Sequence, residues 1–401
     1  MAITDIEVGL SNEQREIRDN ARKFADEVLR PAGIALDRLP DPAQVIAPRS
    51  PLWRVFEKSR ELGLDQLDQS SGDLAPGEAA RVRYLVSEEL GRGDSGLAIS
   101  LGVAGFHRIF ALMSGRPALV ERFCAEASRE IGCWAVTEPD HGSDSLAITE
   151  PHFRDPALKP NCVARKDGKE WVIHGQKAAW VSNGTIATVA TLFCTIDPSH
   201  GFQGGGVCLV PLDLPGVSRG KPLDKIGQRA LNQGEIFFDD VCIPADYMIV
   251  GSEAYGSVVE MVLTMANASM GAIFVGVAQA ALELAVAYAK ERVQGGVPIF
   301  QHQSVRSRLF KMFARVEAAR ALARRVALYN ATNPPLLQYS IASKTFVTQT
   351  AFEVASEALQ IFGGNGLTRE YPIEKLVRDA RASMIEDGCN EVLGLVGATR
   401  L

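Results

Sequence analysis

A chain of 401 residues, 46% apolar and 22% charged, is long enough for two or three packed domains and has the make-up of an ordinary folded globular protein. Its formal net charge of −6 argues against a dedicated nucleic-acid binder, which carries a basic excess or stripe.

Residues 11–30, "SNEQREIRDNARKFADEVLR", predict an amphipathic helix. Ser11 is placed to cap it and Gln14 to complete a capping box. Pro31 is expected to stop it. A Pro-rich stretch, "RLPDPAQVIAPRSP", then reads as loop. Helical patterns resume in "LWRVFEKSRELGL" and "GEAARVRYLVSEELGRG" and continue to about residue 130. From Ile131 to about Val250 the chain breaks into short apolar runs, "VATLFCTI", "GGVCLVPL" and "GEIFFDDVCI", divided by Gly, Pro, Asp and Asn. Short strands without intervening helices predict a compact antiparallel β domain. From Gly251 a long apolar helix is expected, followed by helices near 302–331 and 336–361, which Pro334 and Pro335 separate and Gly363 and Gly364 close. The expected fold class is therefore α+β: an N-terminal helical domain (1–130), an antiparallel β domain (131–250) and a C-terminal four-helix bundle (251–401).

The seven cysteines, Cys124, Cys133, Cys162, Cys194, Cys208, Cys242 and Cys389, are scattered and never spaced Cys-x-x-Cys. Neither a disulfide framework nor a zinc site is expected, no metal is expected, and a reducing cytoplasm fits best. The start "MAITDIEVGLSNEQ" lacks the basic-then-apolar order of a secretory signal, and no run of about 18 apolar residues is read as a membrane span.

Four stretches could carry chemistry. In "CWAVTEPDHGSDSLAI" (133–148) Thr137, Gly142, Ser143 and Asp144 suit either a polar turn or a loop offering N–H groups and hydroxyls to a polar ligand. "GQKAAWVSNG" places Trp180 beside Ser182, as a core tryptophan or as a platform for a flat ring with a hydroxyl at its edge. "IFGGNGLTREYPIEKLVRDAR" follows a long helix and so lacks the strand–turn–helix setting of a dinucleotide fingerprint. Near the C-terminus, "RDARASMIEDGCNEV" sets Glu386 and Asp387 side by side before Gly388 and Cys389.

Together these segments resemble the acyl-CoA dehydrogenase family of flavoproteins. "WAVTEPDHGSD" is similar to the family's first signature and "QIFGGNGLTREYPIEKLVRDAR" to its second. "ERVQGGVPIFQHQ" (291–303) resembles the segment that reaches a neighbouring subunit's cofactor. The resemblance implies FAD between the β domain and the C-terminal bundle. It implies Trp134, Val136, Thr137, Gly142, Ser143, Trp180, Ser182, Cys389 and Glu391 around the cofactor. Gln360, Gly363 and Gly364 would lie along its diphosphate region, and Arg292 and Gln303 would touch the partner subunit's FAD. It further implies a homodimer or homotetramer, an acyl-CoA or acyl-carrier-protein substrate, and an acceptor such as electron-transfer flavoprotein.

The implied reaction is α,β-dehydrogenation of an acyl thioester by a carboxylate base. The resemblance assigns that base to Asp387, with Ser143, Asp387 and Gly388 beside the substrate. Aspartate is shorter than the family's glutamate by one carbon, about 1.5 Å of reach. Glu386, where the family carries an aromatic residue, is an alternative base through a register shift. Asp94 in "EELGRGDSGLAIS" is a third candidate, or a helix cap. The chain departs from the family pattern further on: Cys389 replaces a threonine, Gly394 an arginine, and Asn267 stands near a missing arginine. "TMANASMG" also lacks the acid that some members carry there. A branched or cyclic acyl group is expected from the altered loop. Two competing readings are a nitroalkane oxidase-like flavin oxidase and a catalytically silent acyl-CoA-binding paralogue.

Overall fold

The structure is a computed structural model that describes residues 6–7, 9–64, 74–125, 128–147 and 150–401. Ile148, the last residue of the quoted stretch 133–148, lies outside the described residues. Ser11 begins the first helix: its hydroxyl accepts from Gln14 N at 3.1 Å while the Gln14 side chain accepts from Ser11 N, the expected capping box over α1 (Asn12–Phe24). Pro31 does not end the helix. A π turn, Ala25–Leu29, intervenes, and α2 (Arg30–Asp37) carries Pro31 in its first turn. There the Arg30 N–H reaches Ala25 O, five residues back, so the hydrogen-bond ladder is already opened where proline has no N–H to give. Helices α3 (Pro51–Glu61), α4 (Pro76–Gly93), α5 (Ser95–Ala104), α6 (Phe106–Met113) and α7 (Pro117–Cys124) follow.

The sheet runs from β1 (Gly132–Ala135) to β8 (Met248–Val250). Between them lie β2 (Val163–Asp167), β3 (Glu170–Lys177), β4 (Val189–Thr195), β5 (Gly205–Pro211), β6 (Val217–Arg219) and β7 (Ile236–Pro244). Their order is β6-β7-β3-β2-β4-β5-β8, with β1 on β4. Most pairs are antiparallel, but β1 runs parallel to β4, and Val163 of β2 bridges Thr195 of β4 in parallel, so the sheet is mixed. Strand β4 is buried at every position, which places the β core at its centre.

The C-terminal helices are α8 (Ser252–Glu291), α9 (Gln303–Thr332), α10 (Leu337–Phe362), α11 (Ile373–Ser383) and α12 (Asn390–Ala398). Gly363, at φ 60°, ends α10. Helix α4 lies on α8 almost backbone to backbone: a Cβ on Gly91 would fall 2.0 Å from Ile273 O, and one on Gly276 2.0 Å from Glu88 O. Against the expectation from sequence, Ser95–Met113, which Gly105 divides into α5 and α6, and Ser252–Glu291 are by length and composition apolar enough to cross a bilayer. In the second, 78% of the apolar window is buried inside the molecule, so its apolarity is that of a core helix.

Candidate active site

Asp387 sits in the turn between α11 and α12 with φ 50°, followed by Gly388 at φ 95°. Aspartate tolerates the left-handed region better than most side chains. Glycine is required next, because a Cβ at Gly388 would press on Leu393 and Leu146 at 2.8 and 3.1 Å. Four ties fix this loop. Asn390 N donates to Met384 O at 3.0 Å. Cys389 N donates to the Ser143 hydroxyl at 3.0 Å. Lys344 Nζ, from fully buried Lys344 on α10, donates to Gly388 O at 2.7 Å and to Asn390 Oδ1 at 2.9 Å. The loop that the sequence singled out is thus joined directly to Ser143 of the first signature.

Both carboxylates of the loop are half-buried. Protein packed around Asp387 raises its pKa by desolvation, against the pull of the Lys344 ammonium. Desolvation and the neighbouring Asp387 charge push Glu386 up to about 7, opposed by a hydrogen bond from Gln228 and by Lys225 and Lys344. Lys344 falls to about 8 through burial, held up by Asp387, Glu386, Cys389 and Glu391.

Gln228 belongs to a sheet-region segment that reaches across to the loop. Its Nε2 donates to Glu386 Oε1, and its backbone N donates to Asp379 Oδ1 on α11. The approach is close: a Cβ on Gly227 would lie 2.4 Å from Arg378 O. Arg378 in turn grips Asp37 of α2 with two bonds of 2.9 and 2.7 Å and donates to Ile226 O at 2.6 Å. Farther along the segment, Lys225 Nζ donates to Gln233 Oε1 at 2.7 Å. Gln233 Nε2 donates to Trp180 O and to the Ser182 hydroxyl, both at 3.2 Å. The segment therefore links the Glu386–Asp387 loop to the Trp180–Ser182 stretch.

Asp94 has a different employment from the one proposed for it as a base. Its Oδ1 accepts from Leu97 N at 2.9 Å, capping α5, and its Oδ2 accepts from Lys375 Nζ at 2.6 Å. Lys375 also donates to Asp379 Oδ2 at 2.5 Å. Desolvation works against the Lys375 charge, but Asp379 and Asp94 outweigh it and its pKa is raised. With one oxygen on a backbone N–H and the other on a buried ammonium, Asp94 is a cap and an ion-pair member rather than a free base. Helix α2 fits over it because Gly33 has no side chain; a Cβ there would lie 2.0 Å from Asp94 Oδ2.

The residues assigned to a flat cofactor divide into two groups. The first surrounds the first signature. Lys177 Nζ donates to Val136 O at 3.0 Å and pairs with buried Glu138 at 2.6 Å, and Ala178 N donates to Thr137 O at 2.8 Å. This binds Val136 and Thr137 to the strand that leads into Trp180 and Ser182. Asn183, at φ 62°, anchors that turn by donating from Nδ2 to Ser100 O at 2.8 Å. The second group, Arg292, Gln303, Gln360, Gly363, Gly364 and Glu391, is exposed on the outside of the chain. Glu391 lies two residues beyond Cys389, whose N–H donates to Ser143 of the first group.

These residues fit a flat cofactor on three counts. Trp180 is 60% exposed although Val181 and Asn183 beside it are buried. The Trp134 indole N–H is buried without a hydrogen-bond partner, beside Phe106 and Phe193. The backbone at Gly142, Gly363 and Gly364 faces open space where a Cβ would otherwise project.

Sequence reasoning missed Lys344, Gln228, Lys225 and Gln233. For Lys344 a signal was present: it lies on one helical face with Ile341, Val347, Thr348 and Ala351, all buried. Elsewhere, His174, Asp239 and Asp240 come together on the exposed surface, a grouping that sequence spacing did not reveal.

Two family models cover the sheet and the C-terminal helices: "Acyl-CoA dehydrogenase, middle domain" matches residues 133–241 and "Acyl-CoA dehydrogenase, C-terminal domain" matches residues 256–401. Among curated proteins, the chain is 32% identical over 321 residues to cyclohex-1-ene-1-carbonyl-CoA dehydrogenase of Syntrophus aciditrophicus (strain SB), covering 78% of this chain and 73% of that one. It is 30% identical over 400 residues to the short-chain specific acyl-CoA dehydrogenase, mitochondrial, of Mus musculus, covering 98% and 91%. Among solved structures, butyryl-CoA dehydrogenase from Megasphaera elsdenii matches with a TM-score of 0.86 and 27% identity, over 98% of this chain and 99% of that one. The chain belongs to the acyl-CoA dehydrogenase family of oxidoreductases. That membership implies a flavin cofactor, and the open tryptophan and glycine backbones described above are where it would be held.

Proposed function

We propose that this chain catalyses FAD-dependent α,β-dehydrogenation of an acyl-CoA thioester, with Asp387 removing the α proton. The observation that carries the reading is the Asp387 loop, held against Ser143 of the first signature with its carboxylate made more basic by burial. A stronger base is what a weakly acidic α C–H demands. Among the described residues no hydrogen bond within the chain occupies the Asp387 N–H, which leaves that donor for the thioester carbonyl as negative charge develops there. FAD would supply the two-electron acceptor for the β hydrogen. Trp134, Val136, Thr137, Gly142, Ser143, Trp180, Ser182 and Cys389 would hold it within one chain. The exposed group of Arg292, Gln303, Gln360, Gly363, Gly364 and Glu391 suits a cofactor site completed by a second subunit, hence a homodimer or homotetramer.

The substrate class follows from Glu386. A half-buried carboxylate beside the base, where the family resemblance places an aromatic residue, reshapes the acyl wall. A branched or cyclic acyl group is the reading this supports, and relatives include the cyclohex-1-ene-1-carbonyl-CoA and benzylmalonyl-CoA dehydrogenases. An electron-transfer flavoprotein is the acceptor we assign, and the cytoplasm the location. The test is anaerobic mixing of the holoenzyme with straight, branched and alicyclic acyl-CoAs. Bleaching of the flavin band by one class supports the assignment, and a band unchanged by every thioester overturns it. The aspartate at the base position favours a second reading, oxidation of a nitroalkane. Peroxide formation from nitroethane in air would select that one instead.

A further inference from the structure

We propose that Lys344 is the positioning residue of the base loop, holding Asp387 in place and in its ionised state through a buried ammonium bonded to Gly388 O and Asn390 Oδ1. This rests on the reading of Asp387 as the base. A lysine with no exposed surface in the middle of a long helix is costly to keep charged, and it must be matched to something. Here its two bonds go to neutral oxygens: the carbonyl of the residue after the base, at 2.7 Å, and the side chain of the first residue of α12, at 2.9 Å. No ion-pair contact joins it to a carboxylate, among the described residues. That distinction matters chemically. A direct salt bridge would occupy the lone pair that must receive the proton and would weaken the base. A cation one peptide away fixes the loop and stabilises the charge while the carboxylate oxygens stay available.

The acceptors are themselves held. Asn390 Nδ2 donates to Thr348 Oγ1 at 3.1 Å, one turn along α10 from Lys344, so the Asn390 oxygen is turned toward the ammonium. Asn390 N closes the loop onto Met384 O. Of the ties that fix the loop, Lys344 is the one that carries charge. The titratable groups that face it are Asp387, Glu386, Cys389 and Glu391. Asp387 feels burial pushing its pKa up and the Lys344 charge pulling it down. Removing the cation therefore moves Asp387 upward, and the base is ionised only at higher pH.

The experiment uses flavin-loaded enzyme and a reactive acyl-CoA, with four variants. Lys344→Met is expected to shift the acidic limb of the kcat–pH profile upward by about one to three units, the effect of losing an opposite charge near a carboxylate. Deuterium uptake by the backbone amides of residues 384–390 should rise in the same variant. Lys344→Arg keeps a cation and should leave the limb near its wild-type position. Asn390→Ala loosens the loop without removing charge, so uptake should rise while the limb stays. An unmoved limb in Lys344→Met overturns the proposal. Should that variant fail to retain flavin, Lys344→Gln reads the same limb. Asp387→Asn reports the underlying reading separately: if it keeps full activity, the base assignment is wrong. If it is inactive and Lys344→Met is unshifted, only the role of Lys344 is refuted.

Discussion

Gln228 hands its side-chain amide to Glu386 from a backbone twisted to φ 47°, joining the sheet region to the loop that carries Asp387. A glutamine in the left-handed region is strained, and such strain persists only where the surroundings enforce it. Here the enforcement comes from Asp379, which accepts the Gln228 N–H, and from the Arg378 carbonyl, which leaves no room for a side chain at Gly227. The Glu386–Asp387 loop is thus braced from the sheet side by Gln228 and from the helix side by Lys344.

The proposal that Asp387 is the base separates the two carboxylates by experiment. Asp387→Asn should lower kcat by about 10²–10⁴-fold, the usual contribution of general base catalysis, while flavin content stays normal. Glu386→Gln keeps the acceptor for Gln228 and should cost less than about tenfold. Steady-state kinetics with a reactive acyl-CoA decide the matter. The reverse ranking would show that the loop works in the shifted register.

Glu386 also gives the fold a pH signature. In the native state it keeps its proton until about pH 7, whereas an unfolded glutamate releases it near 4.5. The native state therefore binds more protons between those values, and its stability falls as pH rises from 4.5 through 7. Discounted for the partial exposure of the side chain, the loss at pH 8 is about 1–2 kcal/mol. Glu386→Gln should be more stable than wild type at pH 8 by that amount, with the gap closing below pH 4.5. Urea titrations at several pH values measure it, and a gap independent of pH would contradict the assignment.

The helices and strands were legible because capping and burial leave local marks: the capping box at Ser11, the apolar length of α8, the short, mostly apolar runs in β4 and β5. Pro31 misled because a π turn, which no composition signals, absorbs its missing N–H. Asp387 was reachable through its neighbours in "RDARASMIEDGC". Its supports were not. Gln228 is 158 residues from Glu386, and a single glutamine in a loop announces nothing about such a bond. Lys344 had the periodicity of a buried position, but a lysine is by default read as facing water. Asp94 showed its cap from sequence, whereas its partnership with Lys375 depends on chain segments 281 residues apart.

That partnership has a stability cost when broken on one side. Lys375→Met leaves Asp94 and Asp379 facing each other in the interior without their cation, and should lose about 3–5 kcal/mol. Adding Asp94→Asn and Asp379→Asn in the same background removes the stranded charges and should recover a large part of the loss. The asparagine introduced by Asp94→Asn would still cap α5. Thermal and denaturant unfolding of the single and triple variants check this. If Lys375→Met is as stable as wild type, the three groups are not coupled as described.

Ser182 offers a test of the cofactor site that does not depend on turnover. Its hydroxyl accepts from Gln233 Nε2, and Gln233 is oriented in turn by Lys225 at its Oε1. A hydroxyl that is already accepting has its proton left to donate, and Trp180 beside it presents an open ring. Together they make a stacking face with a donor at its edge, which suits a heteroaromatic ring system. Ser182→Ala removes the donor and strands the Gln233 amide. Flavin affinity should fall by about 2–10-fold, the worth of one net hydrogen bond. Ser182→Thr retains the hydroxyl and should bind nearly as wild type. Trp180→Ala should weaken binding more than either. Titration of reconstituted apoprotein with FAD, followed by flavin fluorescence, gives the three dissociation constants. Equal affinities across the series would move the ring system away from Trp180 and Ser182.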